Sequence, residues 1–184
     1  MQPYKYLDNI PNHELISKKV LEYITKYHAD LLESDLYWNN LPLDNVLDYI
    51  PELTEVFKDF NLTPNAISLV ITTYDNGGPH IDALKGIRFL WPLKNCKNSY
   101  TRFLDIDPNN VGIQQLPNGI IYYYSTHPPP YDYIDQVELV RPIVMNPQVG
   151  HEVILDKDKN TRMTMTIGFD EDISYMLEQI NILK

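Results

Sequence analysis

Hydrophobic residues recur with two different periods along the chain, and the change of period separates a helical first third from a β-rich remainder. Apolar side chains in segments 12–27 and 44–60 recur about every 3.6 residues, which predicts two amphipathic helices. Pro51 must bend or divide the second helix, because proline lacks the amide hydrogen that an internal helical residue donates. A last amphipathic segment, 171–183, predicts a C-terminal helix.

Short runs rich in β-branched and aromatic residues follow Pro64, and turn-forming residues separate them. We predict eight strands, at residues 67–74, 81–83, 87–93, 101–106, 119–125, 136–145, 151–155 and 162–169. Helices do not alternate with these strands, so the pattern favours an antiparallel sandwich or jelly roll. We expect one mainly β domain over residues 1–184, with a helical buttress at 1–65, a jelly-roll core at 66–170 and a C-terminal helix at 171–184.

The composition of the chain narrows its compartment and its class of partner. The formal net charge is −10 at pH 7 and no cluster of lysine or arginine interrupts it, which argues against nucleic acid as a partner. The single cysteine, Cys96, excludes an internal disulfide framework and a cysteine-rich zinc site. No apolar run approaches the roughly 20 residues that span a bilayer, and the N-terminus lacks a signal-peptide pattern. We therefore expect a soluble cytoplasmic protein that does not bind membranes.

Three residues form the most informative chemical pattern in the chain. His80 and Asp82 lie two positions apart at the start of a predicted strand, and in an extended backbone their side chains can point to the same face. His151 begins a later predicted strand and can complete the set. Two imidazoles and one carboxylate are the ligands of non-haem Fe(II) oxygenases, which leave the remaining metal positions open. An isolated histidine and aspartate at this spacing also arise by chance, but here they follow the turn 75–79 at the end of a predicted strand.

An arginine beyond His151 adds a possible anion site. Segments 151–155 and 162–169 flank a turn, which predicts an antiparallel hairpin with Arg162 opposite Leu155. At about 3.3 Å per residue, Arg162 would then lie roughly 13 Å from His151 along the sheet. This distance suits a five-carbon dicarboxylate that chelates the metal at one end and meets the arginine fork at the other.

The alternation of residues 162–167 supports this interpretation. Arg162, Thr164 and Thr166 share one face of the predicted strand, and Met163, Met165 and Ile167 share the other. A polar face with an arginine and two hydroxyls fits the lining of a carboxylate pocket. The solvent-facing side of an edge strand is the alternative explanation.

These residues resemble the motif of a known enzyme family. His80-Ile-Asp82, His151 and Arg162-Met163-Thr164 are similar to the pattern of the 2-oxoglutarate/Fe(II)-dependent dioxygenases, which are built on a double-stranded β-helix. Segments 80–88 and 151–162 look most like the aspartyl/asparaginyl β-hydroxylase branch, and the prolyl hydroxylase branch is a less close match. The resemblance covers roughly residues 70–169.

The resemblance implies a role for each matching residue. His80, Asp82 and His151 would bind Fe(II), with a position left for O₂. Arg162 would bind the distal carboxylate of the co-substrate 2-oxoglutarate, with help from Thr164. The implied reaction is the hydroxylation of an amino-acid side chain, in a peptide, a protein or a small molecule, with release of succinate and CO₂.

Two further residues are weaker candidates for the same pocket. Arg88 stands where the β-hydroxylase-like pattern has a second arginine, so it is a candidate contact of the co-substrate, and pairing with an acid inside a strand explains it equally well. Tyr74 could line the pocket, although core packing accounts for it equally well.

Two other functions fit parts of the pattern. A cupin-like metalloenzyme would use the same histidine and aspartate ligands without 2-oxoglutarate, which leaves Arg162 unexplained. A non-catalytic jelly-roll binding module would have incidental histidines and would bind no stoichiometric metal.

Overall fold

The structure is a computed structural model that describes residues 3–8, 10, 12–33, 37–73, 77–82, 86–107, 109–115, 119, 121–126, 129–158 and 161–182. Its α-helices are α1 (His13–Tyr27), α2 (Leu43–Tyr49), α3 (Pro51–Asp59) and α4 (Ile173–Ile182), and a short 3-10 helix spans Ala29–Glu33. The predicted helices are confirmed, and the second is divided at the predicted proline. Pro51 begins α3 because the first position of a helix needs no amide donor.

Strands make up most of the remaining regular structure. The described strands are β1 (Tyr4–Tyr6), β2 (Trp38–Leu41), β3 (Ala66–Thr72), β4 (His80–Asp82), β5 (Arg88–Lys94), β6 (Tyr100–Asp105), β7 (Val111–Gln115), β8 (Ile121–Ser125), β9 (Asp132–Glu138), β10 (Ile143–Met145), β11 (Gly150–Ile154) and β12 (Arg162–Gly168). Every predicted strand segment contains a strand, and β1, β2 and β7 are additional. Among the helices so described, none has the length and apolar character that a membrane crossing requires.

The strands form two antiparallel sheets of six. Sheet I has the order β1-β10-β5-β12-β3-β2, and sheet II has the order β7-β8-β4-β11-β6-β9. From β3 to β6, and again from β9 to β12, each strand lies in the opposite sheet from the strand before it. This connectivity is that of a double-stranded β-helix, so the predicted fold class is confirmed. The hairpin β7–β8 extends sheet II between the two halves.

The single strand predicted at 136–145 is wrong, because the chain changes sheet within it. β9 ends at Glu138 in sheet II, and β10 begins at Ile143 in sheet I. The backbone amide of Val140 donates to the carbonyl oxygen of Glu138 at 2.9 Å, which closes a tight turn at the crossing. Pro142 follows and cannot donate a ladder hydrogen bond. A continuous β-prone run therefore conceals two strands.

The predicted hairpin of β11 and β12 is also wrong. β11 pairs with β4 and β6 in sheet II, whereas β12 pairs with β3 and β5 in sheet I. Arg162 lies opposite Thr72 and not opposite Leu155. β3 and β5 pair with the two edges of β12, so no edge is left for β11. The chain therefore crosses to the facing sheet between β11 and β12. His151 and Arg162 therefore belong to opposing sheets.

The helices cover the outer face of sheet I. The indole Nε1 of Trp91 on β5 donates to Ser17 Oγ of α1 at 3.0 Å, and Ser17 Oγ donates to the Pro92 carbonyl oxygen at 2.7 Å. Met165 is fully buried in the same apolar cluster as the inner faces of α1 and α3. Because this outer face buries the apolar half of the alternation, the polar half, which includes Thr164, faces the space between the sheets.

Candidate metal and carboxylate site

The pairing of β4 with β11 brings the three predicted metal ligands together. His80 lies directly opposite His151 in the ladder, and the two ring centroids are 4.3 Å apart. Asp82 Oδ1 lies 3.5 Å from His80 Nε2 and 3.9 Å from His151 Nε2. All three ligand atoms fall within 4.8 Å of one another. We call His80, Asp82 and His151 the triad.

Backbone carbonyl groups orient both imidazoles of the triad. His80 Nδ1 lies 2.7 Å from the Gly78 carbonyl oxygen, and His151 Nδ1 lies 2.9 Å from the Val149 carbonyl oxygen. A carbonyl oxygen only accepts, so each Nδ1 must carry the hydrogen. In the neutral imidazole, Nε2 then presents a free lone pair toward the Asp82 carboxylate. Metal-binding histidines are commonly held in this way.

Burial keeps His80 in the protonation state that binds a metal. His80 and His151 are both buried. Burial of the imidazole, with repulsion from His151, lowers the pKa of His80 to about 4, although the Asp82 carboxylate opposes this shift. His80 is therefore neutral at physiological pH, which is the form that coordinates a cation.

Arg162 reaches across from sheet I toward sheet II. Its side chain is 2% exposed, and Nη2 donates to Thr101 Oγ1 on β6 at 3.1 Å. Within the described part of the chain, Nε and Nη1 of Arg162 have no partner with hydrogen-bond geometry, although the Cys96 thiol lies beside the guanidinium and acts on its charge. Burial lowers the pKa of this guanidinium. Two buried, unpaired donors of a cation indicate an anion site.

The ladder fixes the distance between this guanidinium and the triad. Thr101 pairs with Val153, which is two residues beyond His151 on the same face of β11. At about 3.3 Å per residue, the Thr101 contact of Arg162 lies roughly 7 Å along the sheet from His151. The spacing is shorter than the predicted hairpin allowed, since Arg162 approaches from the facing sheet.

One pocket joins these groups. A space between the two sheets, part of it open to solvent, is lined by the triad, Arg162 and Thr164. We call this space the inner pocket. Most of its lining side chains are polar or charged, which suits a polar ligand.

The two weaker candidates differ in their outcome. Tyr74 lies outside the described residues. Arg88 lines the inner pocket, but it lies opposite Gly168 at the end of β12 that is farthest from Arg162. Gly168 is six positions beyond Arg162, or roughly 20 Å along the strand. Its contact with the co-substrate stays a prediction.

Sequence reasoning missed two residues of the site. The ring of Tyr37, which precedes β2, lies edge-on to His80 with the centroids 6.4 Å apart. Burial raises the pKa of Tyr37, and the Asp82 charge adds to the effect. Thr101 holds Arg162. Tyr37 stands in a segment without strand alternation, and only the facing of the sheets reveals the role of Thr101, so neither carried a usable sequence signal.

Comparisons with known proteins add similarity without identifying the activity. No protein-family model and no curated protein matches the chain in sequence. A prolyl-4-hydroxylase from Pseudomonas putida matches 93% of this chain and 94% of its own, with 12% identity and a TM-score of 0.47. AviO1 from Streptomyces viridochromogenes Tue57 matches 91% of this chain and 89% of its own, with 16% identity and a TM-score of 0.40. Function must therefore be inferred from the site itself.

Proposed function

We propose that the protein is an Fe(II)- and 2-oxoglutarate-dependent dioxygenase that hydroxylates an amino-acid side chain in a peptide, a protein or a small molecule. One observation carries this proposal. A three-ligand face with free imidazole lone pairs shares a pocket with a buried arginine that has two unpaired donors.

The donor set of the triad fits the metal. Two imidazole nitrogens and one carboxylate oxygen on one side leave the other coordination positions open, as in non-haem Fe(II) oxygenases. Bound there, Fe(II) would supply the activation of O₂ that this enzyme class uses, with oxidation of 2-oxoglutarate to succinate and CO₂. The backbone contacts of both Nδ1 atoms hold the imidazoles so that Nε2 faces the metal position.

Arg162 fits the distal carboxylate of the co-substrate. Adjacent N–H groups of a guanidinium, such as those of Nη1 and Nη2, form a fork that matches the two oxygens of a carboxylate. Nη1 has no partner among the described residues, and Nη2 donates only one of its two hydrogens to Thr101. The contact with Thr101 also keeps the direction of the guanidinium fixed without a ligand. Thr164 lies on the same face of β12 and offers a hydroxyl beside it.

The two alternatives leave part of this geometry without a purpose. A cupin-like metalloenzyme that does not use 2-oxoglutarate would keep two buried donors of Arg162 unpaired, at a cost of a few kcal/mol. A non-catalytic binding module would account for neither the convergence of the triad nor the unpaired donors.

An anaerobic titration with Fe(II) and 2-oxoglutarate tests the proposal. We expect one equivalent of metal to bind, followed by 2-oxoglutarate, and succinate to form when oxygen is admitted. The His151→Ala variant should lose metal and co-substrate together. His28→Ala is a matched control, because this imidazole contacts Tyr23 on the helical side of the protein.

Two results would contradict this function. Metal binding without 2-oxoglutarate binding would favour the cupin-like alternative. If His151→Ala bound the metal with wild-type affinity, the triad would not be the metal site.

A further inference from the structure

A second cavity adjoins the inner pocket at the end where β12 finishes. It has a volume of about 330 Å³ and is lined by β2, by the start of β3 and by Gly168. Trp38, Arg88 and Thr166 line both this cavity and the inner pocket, so the two spaces meet at these side chains. We call this second space the outer cavity.

The backbone of β12 seats the Arg88 guanidinium at this junction. A Cβ atom at Gly168 would lie 2.7 Å from Arg88 Nη1 and 2.6 Å from Asn65 Oδ1, so a larger residue there would displace the ends of these two side chains. Arg88 is 4% exposed, and its Nη1 donates to the Ile87 carbonyl oxygen at 2.9 Å. Among the described residues no ion pair includes Arg88. The nearby Asp170 carboxylate acts on the charge of Arg88 and accepts a hydrogen bond from Asn65 Nδ2 at 2.6 Å.

A buried hydroxyl without a hydrogen-bond partner lies beside this guanidinium. Thr166 is 3% exposed, and its Oγ1 has no hydrogen-bond partner in the described part of the chain. It is two residues before Gly168, so both positions face the space between the sheets. A buried cation and an unpaired buried hydroxyl thus line one junction, which indicates a polar, anionic ligand.

Arg88 is poorly placed for the co-substrate. A small dicarboxylate that bridges the triad and the Arg162 fork extends away from Gly168, because Arg162 and Gly168 are the two ends of β12. The triad lies between the two guanidinium groups: the Asp82 charge acts on Arg88, while the Arg162 fork lies beyond His151. Arg88 is therefore available to a second molecule that approaches the metal from the outer cavity.

We propose that the outer cavity receives the molecule to be oxidised, and that this substrate carries a carboxylate bound by Arg88 with the Thr166 hydroxyl as a second donor. The inference rests on the proposed function and specifies its substrate class: a free amino acid, or an amino-acid-like molecule with an exposed carboxylate. The planar fork of arginine matches a carboxylate, and Trp38 provides an apolar wall for the rest of the molecule.

Matched pairs of acids and amides test this substrate class. The probes are the twenty free L-amino acids and their α-carboxamides, added to protein that holds Mn(II) and 2-oxoglutarate without oxygen. Binding is measured by calorimetry, so the readout does not depend on turnover. We expect at least one acid to bind about tenfold to a hundredfold more tightly than its amide, because the amide loses a charge-assisted hydrogen bond.

Variants assign the effect to Arg88. Arg88→Gln should abolish the preference for the acid and leave the affinity for 2-oxoglutarate unchanged. Thr166→Val, which nearly preserves the shape of the side chain, should weaken binding of the acid by a smaller factor. This variant remains informative if Arg88→Gln does not fold. Arg141→Gln removes one positive charge from an exposed pair with Asp8 and serves as the control.

The outcomes separate this inference from the function on which it rests. Loss of 2-oxoglutarate binding in Arg88→Gln would make Arg88 a co-substrate ligand and overturn the inference. Equal binding of acids and amides, or binding of none of the acids, would overturn it as well. Failure of the wild type to bind metal or 2-oxoglutarate would instead refute the proposed function.

Discussion

Replacement of Arg162 should change stability and ligand binding in different directions. Arg162 is almost fully buried, and two of its donors have no partner among the described residues. Methionine has a similar length and no charge. The Arg162→Met variant therefore removes the anion fork together with the cost of keeping an unpaired cation away from water.

The magnitude follows from the two free donors. A hydrogen bond to a charged group contributes about 1.5–3 kcal/mol. The loss of two such bonds therefore weakens the binding of 2-oxoglutarate by roughly 3–6 kcal/mol, or about a hundredfold to ten-thousandfold. The free energy of unfolding without ligand behaves differently. Loss of the hydrogen bond to Thr101 opposes the relief of the buried charge, and we expect a net change within about 2 kcal/mol or a gain.

Calorimetric titration and urea unfolding, each with and without Mn(II) and 2-oxoglutarate, measure both quantities. Arg162→Lys is the comparison variant, because it keeps the charge and loses the fork; its affinity should fall between those of the wild type and Arg162→Met. Two results would refute the reasoning. One is unchanged 2-oxoglutarate affinity in Arg162→Met. The other is a loss of more than about 3 kcal/mol without ligand, which would mark the guanidinium as a structural group.

Two further substitutions test how the fold supports the site. Thr101→Val removes the acceptor that holds Nη2 of the Arg162 guanidinium, so 2-oxoglutarate should bind about fivefold to tenfold more weakly. Metal affinity, measured in the same titration, should not change. An equal fall in metal affinity would contradict this prediction. Gly150→Ala places a Cβ 2.8 Å from the Leu104 carbonyl oxygen and must push β11 away from β6. It should cost about 1–3 kcal/mol in urea unfolding and weaken Mn(II) binding although every ligand remains; wild-type metal affinity would show that the triad tolerates the shift.

Local sequence patterns predicted much of this site. The alternation of β12 alone assigned Arg162 and Thr164 to one face and Met165 to the other, and the structure confirms that division. The spacing of His80 and Asp82 placed both on one side of an extended segment. Such inferences succeed because the side-chain period of a strand is fixed by the backbone.

The pairing of strands was beyond these patterns. β11 and β12 are neighbours in the chain and lie in opposite sheets, and residues 136–145 hold two strands of different sheets under one β-prone run. The periodicity of a strand predicts which of its side chains share a face, but it does not predict which other strand pairs with it. Tyr37 was missed for the same reason, since its contact with His80 depends on how distant segments pack.

Two positive charges are buried inside a protein whose overall charge is negative. The chain carries a formal net charge of −10, yet two guanidinium groups are buried between its sheets. Arg162 and Arg88 lie toward opposite ends of β12, and the triad faces the space between them. A buried cation is stable only when an opposite charge or several hydrogen bonds satisfy it. The described residues leave two donors of Arg162 without a hydrogen-bond partner, whereas the carboxylates of Asp82 and Asp170 act on the charge of Arg88. The unmet need is therefore greatest at Arg162, and an anionic molecule bound between this guanidinium and the triad would supply the missing partners, as the proposed co-substrate does.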